Sequence, residues 1–361
     1  MSTQRAIGLL RGAKATLDRA TGALRSRTSR QPRRQLALKD AQIAALRREL
    51  ARTGGEGDPP ALSTGSVPVF FVVGNQKSGT TWLMRMLDAH PEILCKGEGR
   101  FFGGSWRQKN LKQRDTLRPP SSLYNAFLDA EYLRLWIERS VWSRNEDATE
   151  HLDNLTRMAI DYFLEGELLK SGKRLVGDKS PLLTLETIRE ISAIYPESKV
   201  IHIIRDGRDV AVSAAHHSRN FGRARKSEGS RGDEGGMFSE GQLEKLAAEW
   251  ASRVGNAVQD GPDLLGGNYT EVRYEDLLHS PEVEIRRLLE FLGGDPAEET
   301  ARRCVEAASF EKLSKGRKRG EEDLSSFFRK GVAGDWKNTF TRRDTEIFDA
   351  EAGELLARLG Y

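Results

Sequence analysis

The chain has 361 residues, 38% of them hydrophobic and 30% charged, a composition that fits a soluble globular protein of one large domain or two ordinary ones. Its formal net charge of +4 is uneven: residues 1–60 hold 13 Lys/Arg against 5 Asp/Glu, and the remaining 44 and 48 leave the rest slightly acidic, which gives the core no nucleic-acid-binding signature. Cys95 and Cys304 make neither a disulfide framework nor a metal site, and no apolar run nears the roughly 18–20 residues that cross a bilayer, so a cytoplasmic protein without a transmembrane segment is expected.

Residues 1–52 are rich in Ala, Arg and Leu. Leu10, Leu17 and Leu24 repeat at seven, as do Leu36, Ile43 and Leu50, but Pro32 parts the two series and neither sustains a coiled coil. Two amphipathic helices or one frayed arm both fit. The basic face either meets an acidic partner or membrane surface or is simply solvated. The apolar patch Ala6–Leu10 is too short for a signal peptide. Residues 53–65, with Pro59–Pro60, read as a linker, which puts the start of the main domain at residue 66.

Val69–Val73 is a buried-strand run, broken by Gly74 and followed by the polar loop Asn75–Gly79, and then by Trp82, Leu83, Met86 and Leu87 at helical spacing. Strand, glycine-flanked loop and helix N-terminus form a cradle for phosphate. The spelling departs from the nucleotide triphosphatase loop G-x-x-x-x-G-K-[ST]. Gly74 and Gly79 hold the spacing, but Thr80 stands where the lysine belongs and the lysine lies inside the loop, at Lys77. That disfavours ATP with Mg²⁺ and leaves room for a nucleotide charged nearer its 5′ end.

Further along, Ile93–Cys95 reads as a strand and Gly97–Phe102 as a loop. Residues 103–150 read as an insertion with helical stretches around 123–139, and 151–170 as an amphipathic helix. Residues 174–181 read as a strand and then a turn, followed by a helix over 184–195. Lys199–Ile204 is an unbroken branched run, the mark of a buried parallel strand, and it ends in Arg205-Asp206-Gly207-Arg208-Asp209 with a helix running on to His217. Residues 218–241 read as a long glycine-rich loop, 242–258 as a helix, 269–274 as a strand and 284–291 as a helix. The alternation implies an α/β fold of three layers, a mostly parallel sheet with helices on both faces and a P-loop-like phosphate-binding loop.

Ligands of such sheets sit at the C-terminal strand ends, where the Lys77 and Arg205 loops both lie. Arg205 and Ser213, eight residues on, suit a second phosphate; a salt bridge from Arg205 to Asp206 or Asp209 fits as well. Arg329-Lys330-Gly331 forms a third basic loop.

Together these three pieces resemble the sulfotransferases that use 3′-phosphoadenosine 5′-phosphosulfate (PAPS). Lys77-Ser78-Gly79-Thr80-Thr81-Trp82 is similar to that family's 5′-phosphosulfate loop, Arg205 to Ser213 to its 3′-phosphate motif, and Arg329-Lys330-Gly331 with Gly334-Asp335-Trp336-Lys337 to its C-terminal motif. Tyr274-Glu275-Asp276 is similar to the segment before that motif. The resemblance spans roughly residues 69–340 and implies PAPS as donor, no metal, and a hydroxyl-bearing acceptor. It places Lys77 at the 5′-phosphate and bridging oxygen; Gly79, Thr80 and Thr81 at the 5′-phosphate; Trp82 near adenine; and Arg205, Ser213, Arg329 and Gly331 at the 3′-phosphate. Sulfuryl transfer, like phosphoryl transfer, is catalysed mostly by positioning and electrostatics.

For the general base, soluble small-molecule members use a histidine where this chain reads Gly177-Asp178-Lys179-Ser180-Pro181. The spelling is closer to the carbohydrate- and protein-sulfating branch, whose base is a glutamate two residues short of a Phe-Phe pair. Glu98 fits, with Gly99 and Arg100 between it and Phe101–Phe102. A buried Glu98 beside two aromatics would have its pKa raised, with Lys77 opposing. Asp178 is the reserve, and Lys179 is expected at the sulfuryl group. His202 reads as a core histidine, His216 and His217 as helix-end cations, and Trp250 and Trp336 as core. Sugar hydroxyls lead as acceptors, followed by lipid or small alcohols. The rival readings are a nucleotide kinase and a non-catalytic nucleotide-binding module.

Overall fold

The computed structural model describes residues 67–103, 122–144, 146–182, 185–225 and 237–361. The arm, the linker, most of the 103–121 stretch and the centre of the 218–241 loop lie outside these residues.

Strand β1 (Val69–Gly74) is buried at every position. Its side chains alternate: Val69, Phe71 and Val73 pack into one core, Phe70 and Val72 into another. A strand wet on neither face belongs in the middle of a covered sheet. Among the described residues the sheet has five strands in the order β2-β3-β1-β4-β5, all pairs parallel. The others are β2 (Ile93–Gly97), β3 (Leu175–Pro181), β4 (Lys199–Ile204) and β5 (Tyr269–Arg273).

On one face lie α1 (Thr80–Asp88), α9 (Pro281–Leu292) and α10 (Glu298–Ala307), through Leu83, Met86, Ile285, Leu288 and Ala301. The other face is covered by α4 (Ala148–Ser171), α5 (Thr187–Ile194) and α7 (Gln242–Leu265), through Ile160, Leu164, Ile188, Ile191 and Ala257. A third cluster, around Trp250 and Phe348, joins α7 to α6 (Gly207–Arg225) and α12 (Arg342–Leu359). This is the three-layer α/β architecture expected. The short helices α2 (Leu123–Leu128) and α3 (Glu131–Arg139) are the helical stretches expected around 123–139. The remaining pieces are α8 (Tyr274–His279) and α11 (Phe310–Leu313).

Two expectations need correction. The segment 174–181, expected as a strand and then a turn, is strand from Leu175 to Pro181, pairing Asp178 with Phe71 and Lys179 with Val72. Buried charges there broke the apolar pattern, and Gly177 is required by packing: a Cβ would sit 2.2 Å from the Phe70 ring. Residues 218–225 continue α6 rather than opening a loop.

β1 leads through α1 to β2 on one side, while its neighbour β4 leads through α6 and α7 to β5 on the other. The connections diverge between β1 and β4, and a crevice opens at the carboxyl ends of these two strands.

Candidate active site

The loop after β1 turns on two left-handed residues, Lys77 (φ 71°) and Gly79 (φ 93°). A Cβ on Gly79 would lie 2.6 Å from the Tyr274 ring, so glycine is needed both for the turn and for the close approach. Gly79 O accepts from the N–H groups of Trp82 and Leu83, and the earlier N–H groups of α1 are left without intrahelical acceptors, as at any helix start.

The Arg205 loop meets this one directly. Arg205 Nη1 donates to Lys77 O (3.1 Å) and Nη2 to Val332 O (3.1 Å), tying all three basic segments together. Its guanidinium lies 4.3 Å from the Tyr274 ring centre. Asp209, 3.6 Å away, is the ion-pair partner that the sequence left open. Asp206 instead grips Arg208 at 2.9 Å through two bonds.

The third basic segment is pinned to the start of α6. Asp209 accepts from the N–H groups of Gly334 (2.7 Å) and Trp336 (2.9 Å), and the Arg208 guanidinium stacks 3.9 Å from the Trp336 ring centre. Trp336 is thus a clasp, whereas Trp250 is core, as expected, its indole N–H donating to Arg205 O (3.2 Å). Arg329 pairs with Glu322 and Asp335, and Lys330 Nζ lies 2.6 Å from Asp335. Burial pushes the Asp335 carboxyl up, but hydrogen bonds from Lys330 and Arg329 outweigh it and hold it below the usual range.

These loops enclose a cavity of about 550 Å³. Lys77, Gly79, Thr80, Thr81, Trp82, Glu98, Lys179, Arg205, Ser213, Tyr274, Arg329, Lys330 and Gly331 all border it. Ser78 does not. It faces inward, with its Oγ buried and without a partner among the described residues, because the loop turns on either side of it. On the wall, Lys77, Arg100, Lys179, Arg205, Arg319, Arg329 and Lys330 stand against a single carboxylate, Glu98. Burial lowers the Lys77 ammonium, whose Nζ lies 5.3 Å from the Phe327 ring centre. The cations and the unpartnered Nε of buried Arg205 suit a ligand carrying several negative charges.

Glu98 departs from expectation. Its side chain is 59% exposed, and Lys179 Nζ sits 2.6 Å from its Oε1. Hydrogen bonding to Lys179 and that residue's charge pull the Glu98 carboxyl down, not up. The physical reason is the turn: Glu98 (φ 63°) and Arg100 (φ 53°) are left-handed, which sends Phe101 and Phe102 into the core and Glu98 outward. The raised carboxyl is Asp178, lifted by burial, although Ser180 Oγ (2.5 Å) and Gly99 N–H (3.0 Å) donate to it.

His202 is the core histidine expected, its Nδ1 2.7 Å from the Tyr269 hydroxyl and its pKa pushed by burial to about 3. Missed were Arg319, which reaches over the Trp82 ring, and His217, which borders the cavity. A signal for His217 was available: it stands four residues after Ser213, on the same face of a helix.

Fold and site together define an α/β protein with a polyanion-binding crevice at its sheet's switch point. A model of the sulfotransferase family matches residues 68–298. Sulfotransferase 1A1 of Bos taurus is 30% identical over 206 residues, 53% of this chain and 65% of the bovine one. Flavonol 3-sulfotransferase of Flaveria bidentis is 30% identical over 186 residues, 47% of this chain and 58% of that one. A mouse sulfotransferase crystallised with PAP covers 79% of this chain and 83% of its own, at 18% identity and a TM-score of 0.43. The match thus spans under two thirds of the two sequence relatives' lengths. On the family match, this chain belongs to the sulfotransferase family.

Proposed function

We propose that this chain transfers a sulfuryl group from PAPS to an acceptor hydroxyl, with the transferase domain beginning at residue 66 behind the 1–52 arm and the 53–65 linker. The observation that supports this most directly is that Lys77, Arg205 and Arg329, far apart in sequence, border one cavity. When bound, PAPS supplies a sulfuryl group joined to a nucleotide phosphate that leaves as an anion. Lys77 and the N–H groups opening α1 neutralise charge building on that phosphate, with Thr80 and Thr81 adding hydroxyl donors. Arg205, Ser213, Arg329 and Gly331 hold the 3′-phosphate, and Trp82 and Tyr274 flank the base. Lys179 turns to the sulfuryl oxygens; should it exchange Glu98 for them, that carboxylate is released to take a proton.

Sugar hydroxyls no longer lead as acceptors. Phe310, Leu313, Phe327 and Phe328 give the cavity an apolar side, and one relative is named for a flavonol, so a ring-bearing small alcohol fits equally. No helix among the described residues is long and apolar enough to cross a membrane. Cys95 and Cys304, both unpaired and buried, suit a reducing cytoplasm.

Labelled PAPS, offered with panels of phenols, sugars and long-chain alcohols, tests the reading, alongside calorimetry with PAP and with ATP–Mg²⁺. Label should move and PAP should bind far more tightly than ATP. Tight ATP–Mg²⁺ binding would point to a kinase; PAP binding without transfer to any panel member would point to a non-catalytic module.

A further inference from the structure

His217 borders the cavity and has no part in the reading above. Helix α6 carries Asp209, Ser213 and His217 at intervals of four, and these share one face. Asp209 clasps the C-terminal loop, and Ser213 and His217 both border the cavity. His217 lies one turn past the residue read as a 3′-phosphate ligand, and close enough to Lys77 to feel its charge. Phe327, 62% exposed, borders the same cavity beside Lys77.

We propose that His217 is a catalytic residue that receives the acceptor's proton. This rests on the sulfuryl-transfer reading and changes only the identity of the base. As the acceptor oxygen bonds to sulfur, its O–H bond breaks and the proton passes to the unprotonated ring nitrogen of His217. The bond from sulfur to the bridging oxygen breaks, and the leaving phosphate keeps the electron pair.

Three observations support the assignment. Lys179 holds one oxygen of the Glu98 carboxylate and makes it a weaker base, and Asp178 is buried and does not border the cavity. Burial first, and the charge of Lys77 second, lower the His217 pKa, which keeps the ring unprotonated at neutral pH and still basic enough to serve. The position differs from the end of β3, where this chain has Ser180 and no histidine. The charged groups sharing the cavity are Lys77 from the phosphate loop, Glu98, Arg100 and Lys179 from the ends of β2 and β3, Arg205 from the end of β4, and Arg319, Arg329 and Lys330 from the C-terminal segment.

The test follows labelled sulfate from PAPS to 2-naphthol and, in parallel, to water. In the wild type the rate should climb with pH through a single pKa below 6.5. His217→Gln should cut turnover about a hundredfold and erase that limb, with PAP affinity unchanged; Glu98→Gln should keep the limb. The proposal is overturned if His217→Gln retains turnover within about threefold, if PAP affinity falls as far as turnover, or if only Glu98→Gln removes the limb. A wild type that neither binds PAP nor releases label would sink the sulfuryl-transfer reading itself.

Discussion

Asp209 holds the three-part site together, and its replacement by alanine is the sharpest probe of that arrangement. The side chain is 1% exposed and accepts from two backbone N–H groups more than a hundred residues downstream, at 2.7 and 2.9 Å. Hydrogen bonds to a charged group contribute about 1.5–3 kcal/mol each, and stranding the donors adds their desolvation. Partial relaxation of the loop lets water reach them, so about 3–5 kcal/mol of stability should be lost. The consequence for binding is larger than for a surface change, because the same loop carries Arg329 and Gly331. Urea unfolding and PAP calorimetry read the two effects, and Asp209→Asn, which keeps one oxygen acceptor, should recover part of both. A loss under about 1 kcal/mol with PAP affinity intact would refute the clasp.

Lys77→Met should lower sulfate transfer by about a hundredfold to a thousandfold, while the unfolding midpoint holds or rises, since burial already disfavours that charge; labelled-donor kinetics beside a melting curve check it. Gly79→Ala forces a Cβ into left-handed backbone and toward the Tyr274 ring, and should cost about 2–4 kcal/mol and weaken PAP binding more than tenfold; unchanged calorimetry would contradict the loop geometry. His202, with a pKa of about 3 folded against about 6.5 unfolded, binds its proton more readily once unfolded. Its contribution is therefore full above about pH 6.5 and lost as pH falls toward 3, at up to about 1.4 kcal/mol per pH unit. His202→Gln should flatten that slope, and parallel slopes in a pH series of urea midpoints would disprove it.

Much of the site was legible because anion loops are local: Val69–Trp82 states its strand, turn and helix within fourteen residues, and Arg205 ends an unbroken branched run. What failed to show was long-range. β3 was cut short because Asp178 and Lys179 look like turn residues, and only their neighbours on β1 and β2 make them strand. The direction of the Glu98 shift depended on Lys179, eighty-one residues away, which no local pattern encodes. His217 already stood on a helix one turn past Ser213, but that this face lines the cavity depends on the packing of distant segments. The clasp between Arg208 and Trp336 explains after the fact why an Arg-Asp pair is repeated across Gly207: the first Asp steers Arg208, the second receives the loop.

The stretch that the family model recognises ends at residue 298, yet the loop that Asp209 secures lies wholly beyond it. A polypeptide trimmed at that boundary would lose one jaw of the grip together with α10 and α12, whose side chains complete two of the apolar clusters. Shortening from the carboxyl side should therefore extinguish nucleotide capture even though residues 68–298 remain.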